Sequence, residues 1–164
     1  SICVVGDTAN GLWVLEESYA PNRIIYDPRL NKGTWATEAM RLRDKWRVSM
    51  FLCDPSRPDA IADFQRAGLP AYPADNDILF GVQRINEFLH VVDGKPRLFV
   101  GPCPDFRREM RNYVWAQSPG RSDFSEVPAP GQSDHALDGG RYGIVELTRY
   151  QSDGTVRQRA RPIQ

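Results

Sequence analysis

Between Leu12 and Val100, apolar runs too short for helices alternate with stretches of helical periodicity, which points to an α/β architecture. An apolar run over residues 2–6, an Asn10-Gly11 turn and bulky residues over 12–19 predict an opening β-hairpin, closed by Pro21. Residues 23–26 read as a short strand or a loop. Trp35, Ala39, Leu42 and Trp46 form one stripe and predict a helix over 34–46. A continuously apolar strand over 48–53 belongs in the middle of a sheet. A helix over 59–67 follows, with Ile61 and Phe64 inward and Gly68 as its stop, and then a short strand at 69–72. Ile78, Val82, Ile85 and Leu89 mark a helix started near Asp75 or Asp77. Asp93-Gly94 is a turn, 97–100 a strand, and 104–115 a helix with Phe106, Met110 and Val114 inward. Residues 117–132, rich in Gly, Pro and Ser, read as a loop. The last helix spans 134–147. The expected result is a partly parallel mixed sheet with a hairpin edge.

A chain of 164 residues suits one domain, here 1–150, followed by a polar tail at 151–164. Hydrophobic content of 41% and charged content of 26% mark a globular protein. Acids and bases balance at 21 each, which excludes a globally basic nucleic-acid binder and leaves local patches open. Cys3, Cys53 and Cys103 are isolated, so neither a zinc ribbon nor a disulfide framework is expected, and a reducing cytoplasm fits. With only His90 and His135, a histidine-rich metal site is not expected. No run approaches a membrane span, no signal peptide is seen, and no Walker A element offers a nucleotide site. The start at Ser1 fits a piece of a longer protein or removal of an initiator methionine.

Asp54 follows the 48–53 strand, and ligands of α/β sheets bind beyond the carboxyl ends of strands. Its bland role is to cap the helix near Pro58. Asp134 and Asp138 share a helix face four residues apart, where like charges repel by a few tenths of a kcal/mol. Their bland reading is a cap and one exposed acid. Together with Asp54, they supply the oxygen ligands that hard divalent cations take. Arg107, Arg108 and Arg111 cluster, as do the arginines of 149–161; a solvated face is the bland reading, phosphate binding the functional one. Arg141 has its own alternative, an ion pair with Asp138 on the same helix. The four tryptophans fall on apolar periodicities and read as core.

Asp134-His135-Ala136-Leu137-Asp138 with Arg141-Tyr142 resembles an element near the C-terminus of phage terminase large subunits. Other pieces resemble that family in its order: residues 12–19, Cys53-Asp54-Pro55-Ser56 with Pro58, residues 76–89 with Gly81, and residues 96–100 followed by Glu109 and Trp115. The likeness covers residues 4–150. It implies an RNase H-like fold: a mixed sheet with an N-terminal β-hairpin and helices on both faces. It also implies an endonuclease domain that cuts double-stranded viral DNA during genome packaging in the host cytoplasm. Mg²⁺ or Mn²⁺, as a two-ion site, would be held by three acidic positions. Asp54 matches one and the Asp134/Asp138 element another, with Asp134 favoured as ligand and Asp138 in support. The third acid lies upstream of Ser1 or is Asp7. Arg57, Arg107, Arg108 and Arg141 are the expected DNA contacts. Partners implied are an ATPase domain of the same protein, the portal and the small terminase subunit. Gly139-Gly140 departs from the family pattern and should weaken the helix by about 1 kcal/mol per glycine. The alternative is a non-catalytic domain of the same fold, docking or guiding DNA in a packaging motor.

Overall fold

The structure is a computed structural model describing residues 1–30, 32–117 and 124–149. In chain order the elements are β1 (Ile2–Thr8), β2 (Gly11–Ser18), α1 (Trp35–Trp46), β3 (Phe51–Cys53), α2 (Pro58–Arg66), β4 (Ala71–Pro73), α3 (Ile78–Leu89), β5 (Leu98–Val100), α4 (Pro104–Asn112), β6 (Trp115–Gln117), β7 (Phe124–Pro128) and α5 (His135–Thr148). The expected mixed α/β fold with an opening hairpin is present. The residues expected to form a tail, 151–164, lie outside the described ones.

β1 pairs antiparallel with β2, and β2 pairs parallel with β5. The hairpin turn falls one residue earlier than Asn-Gly: Thr8 faces Gly11, so Ala9 and Asn10 make the loop. Thr8 Oγ1 holds it, donating to the Gly11 carbonyl at 2.8 Å and accepting from the Asn10 N–H at 3.2 Å. Gly11 serves another purpose. Its φ is +124°, and a Cβ there would meet the Arg97 carbonyl oxygen at 2.5 Å. The bare backbone lets Leu12 N–H reach that same oxygen at 2.8 Å and begin the parallel pairing.

β3 and β4 form a separate parallel pair joined by α2. β6 and β7 form an antiparallel pair where the sequence suggested a helix end and a loop. The chain leaves α4 at Tyr113 in extended conformation (φ −68°, ψ 124°), and the Tyr113 and Trp115 rings meet edge to face at 5.6 Å. β-forming aromatics thus override the helical extrapolation at 113–115.

Helix starts follow two schemes. α1 and α3 are capped locally: Thr34 and Thr37 exchange side-chain bonds with each other's N–H groups at 3.1 Å, and Asp77 accepts from Phe80 N–H at 2.9 Å. α4 has no cap of its own. Glu17 of β2 accepts from Asp105 N–H at 2.7 Å and from Phe106 N–H at 2.8 Å.

Among the described residues the core is in two clusters. One gathers β2, β5, α3, α4 and α5 around Val14, Phe106 and Ile144; the other gathers α1, α2, β3 and β4 around Ala39, Phe51 and Phe64. β1 stands between them, with Cys3 and Val5 packed on the first and Ile2 on the second, as its period of two requires. None of the four tryptophans belongs to the fully buried core. Trp35 lies under the Arg23 guanidinium, Trp13 stacks on Phe99 at 4.8 Å, and Trp46 is 37% exposed at the end of α1. An indole is too large to be sealed at a helix end, so the periodicity marked the face but not the depth. Among the described residues no helix is long and apolar enough to cross a membrane.

Candidate functional site

Among the described residues β1 is bonded only to β2, and β3 only to β4, so each has a free edge. A cavity of about 960 Å³ separates these edges, lined without a gap by residues 1–6 and 46–54. A strand face would contribute every second residue; unbroken runs mean that strand edges form the walls. α5 closes one side through Gly139, Tyr142 and Gly143. Gly143 allows the close approach, since a Cβ there would meet Val5 Cγ2 at 2.8 Å.

The direction of each wall follows from its contacts. Ser1 Oγ donates to the His135 carbonyl, Cys3 Sγ to that of Ala136, and Val5 lies on Gly143. β1 therefore runs alongside α5 in the same sense. β3 leads directly into Asp54, whose charge acts on Asp138 in the first turn of α5. Hence β3 ends where β1 begins, and the two walls of the slot run in opposite directions.

Asp54 and Asp138 both line the slot. Asp54 does not cap α2, whose start has no side-chain cap; its Oδ1 accepts from Ser56 N–H at 2.9 Å in a local turn. Asp138 takes both Nε (3.1 Å) and Nη2 (2.9 Å) of Arg141 on Oδ1. Burial pushes the Asp138 carboxyl above its ordinary range. Arg141 pulls the other way, and the charges of Asp134 and Asp54 add to the rise. The Tyr142 hydroxyl is pushed up to about 12 by burial and then by Asp138 and Asp54. Asp134, the expected ligand, is outside the slot lining, although its charge reaches Asp138. Asp7 pairs with Leu12 at the hairpin end, about 17 Å along the strand from Ile2 at the usual rise per residue.

Arg141 faces the interior, not a DNA surface. Its side chain is 2% exposed. Besides Asp138 it donates to the Asp77 carbonyl at 3.2 Å and to Asn76 Oδ1 at 3.0 Å, and Tyr142 Oη also donates to Asn76 Oδ1. Gly81 makes room, since a Cβ there would sit 2.6 Å from Arg141 Cγ and Cδ. Gly81, Arg141 and Tyr142 are thus one lock between α3 and α5. Arg57, Arg107 and Arg108 are surface groups: Arg57 pairs with Asp59, Arg107 donates to the Val100 carbonyl, and Arg108 pairs with Asp105. Arg107, Arg108 and Arg111 line a shallow surface cavity beside Pro104.

Sequence reasoning passed over Asn76 and assigned no role to Glu109. Glu109 accepts from Ser133 Oγ at 3.0 Å and from the N–H groups of Ala136 and Leu137 at 2.7 and 3.0 Å. Its signal was a carboxylate beside Met110 and three residues from Phe106, on the apolar side of its helix.

The donors present suit a hard cation in kind but are incomplete in number. Asp54, Asp138 and Glu146 line the slot, but among the described residues no three His, Cys, Asp or Glu side chains are grouped to hold a metal.

Comparison with solved structures bears on the fold. A crystal form of the large terminase of a thermophilic bacteriophage superposes with a TM-score of 0.64 at 24% identity, over 87% of this chain and 35% of the terminase. A second crystal form gives 0.65 at 24% identity over 88% and 35%, and the ADP complex 0.63 at 23% over 89% and 38%. The chain shares the fold of one stretch of a large terminase. This terminase-like stretch spans about a third of that protein's length. No family model matches the chain, and no curated protein matches it.

Proposed function

We propose that this chain is the divalent-metal-dependent endonuclease part of a DNA-packaging terminase. The observation that carries the reading is Asp54 at the end of β3, sharing a slot with Asp138 of α5 in a terminase-like fold. Asp54 and Asp138 would hold Mg²⁺ or Mn²⁺, with Asp134 adding negative charge beside them. Bound there, the ions supply polarisation of the phosphodiester and charge neutralisation for the attacking and leaving oxygens. Arg57, Arg107 and Arg108 would meet phosphates of double-stranded DNA. An ATPase domain of the same protein, the portal and the small subunit are the expected partners, in the host cytoplasm.

The slot supports an upstream source for the third acid. A strand preceding Ser1 would run antiparallel to β1 and parallel to β3, and would end beside Asp54, Asp138 and Ser1. A short turn would then join it to β1. Covered on both faces, it would read as a nearly continuous apolar run.

The test is cleavage of supercoiled plasmid with Mn²⁺ by this chain and by an N-terminally extended version, each with Asp54→Asn, Asp138→Asn and Asp7→Asn. Cleavage by the extended form, lost with Asp54→Asn and Asp138→Asn but kept with Asp7→Asn, is expected. Cleavage that survives Asp54→Asn sinks the reading. That no three acids are grouped to hold a metal among the described residues favours a second reading, a non-cutting docking or DNA-guiding module. That reading predicts DNA retention without cleavage in both forms.

A further inference from the structure

We infer that Glu109 is a positioning residue: it takes over the capping of α5 and so leaves the Asp134 carboxylate uncommitted beside Asp138. The importance of Asp134 rests on the function proposed above; the geometry does not. Asp134 is the N-cap of α5 (φ −137°, ψ 10°), and its side chain makes no capping bond. An aspartate at this position ordinarily accepts from the second or third N–H of its helix. Those donors are Ala136 and Leu137, and both go to Glu109 Oε2, at 2.7 and 3.0 Å. Glu109 Oε1 takes the Ser133 hydroxyl at 3.0 Å, which fixes the residue just before the cap.

Glu109 is 1% exposed, and a carboxylate so buried persists only where donors and positive charge meet it. The N–H groups and dipole of the α5 start supply both, and Arg108 Nη2 adds a cation 3.6 Å from Glu109 Oε1. With those amides engaged, Asp134 keeps its two oxygens. Half-buried, it makes no side-chain hydrogen bond among the described residues, and its charge acts on Asp138 and on Tyr113. One glutamate from α4 thus does the structural work, and the aspartate in the capping position is released from it.

Two measurements on the whole chain decide this. Asp134→Ala should leave the melting midpoint within about 1 °C, whereas loss of a working cap would lower it by about 2–4 °C in a domain of this size. Glu109→Asp keeps the charge but shortens the reach by one methylene. In that variant Asp134 should turn onto the Ala136 and Leu137 amides, read as a change of χ1 from three-bond couplings. Mn²⁺ affinity, read by water proton relaxation, should fall on the order of tenfold, as when an outer-shell partner of a metal site is lost. Glu109→Gln keeps the reach and should keep both the Asp134 rotamer and Mn²⁺ affinity within a few fold. A cap-sized loss in Asp134→Ala, or an unmoved Asp134 rotamer in Glu109→Asp, overturns the inference. If the parent chain binds no Mn²⁺, the metal reading suffers while the rotamer and melting results still decide the role of Glu109. Should Glu109→Asp fail to fold, Asp134→Ala alone decides it.

Discussion

Adjacent glycines in α5 should respond to alanine with opposite signs. On helix propensity alone each substitution stabilises by about 1 kcal/mol. At Gly139 a new Cβ meets Cys3 Sγ at 3.5 Å and the Cys3 nitrogen and Ser1 Oγ at 3.6 Å, all ordinary contacts. The full propensity gain should appear there, raising the midpoint by about 2–4 °C. At Gly140 the Cβ would lie 2.3 Å from Phe106 Cε2, 3.0 Å from Cδ2 and 3.2 Å from Cζ. The Phe106 ring has no solvent exposure and cannot swing aside. Overpacking of that severity belongs near the top of the usual range, about 3 kcal/mol. Offset by propensity, the net loss is about 2 kcal/mol, a fall of about 4–8 °C. Thermal melts and urea titrations of the two variants side by side are the assay. Equal shifts of the same sign would refute the packing argument, because propensity would then suffice.

Arg141→Met should cost about 3 kcal/mol in urea denaturation, because it strips Asp138 and Asn76 of their shared buried partner. Glu16 is held at about 2: burial raises its carboxyl, but hydrogen bonds from Lys45, Arg41 and Trp46 outweigh that. Its contribution is therefore present above pH 4.5 and lost as pH falls toward 2, and Glu16→Gln should flatten the stability profile across that window. Burial pushes the Cys53 and Cys103 thiols up to about 11 and raises Cys3 further, so native-state labelling with a thiol reagent at neutral pH should run on the order of a hundredfold slower than for a free thiol. Fast labelling of any one of them would count against its burial.

Elements with strong local periodicity were legible: the hairpin, α1, α3 and α5 appear within a residue or two of their expected bounds. What stayed hidden has a common physical cause, since it depends on groups far apart in sequence. Nothing near Gly140 announces that Phe106 packs on it. The Asn10-Gly11 pair read as a turn, but the glycine answers to the carbonyl of Arg97. Arg141 stood among surface cations because its two neutral partners, Asn76 and the Asp77 carbonyl, are about sixty residues away. For the candidate site, Asp54 and Asp138 were legible as acids at a strand end and a helix start. Which of Asp134 and Asp138 enters the slot was not, because that turns on the rotation of α5 against β1.

The two distant caps form a relay. Glu17 of β2 completes the start of α4, and Glu109 of α4 completes the start of α5. Neither helix carries its own side-chain cap, and helices of 9 and 14 residues are marginal in isolation. α5 is therefore expected to become stable only after α4 has docked, and α4 only after the hairpin has formed. Assembly of this half of the molecule has a built-in order, and a fragment containing α5 without β2 should remain a coil in water.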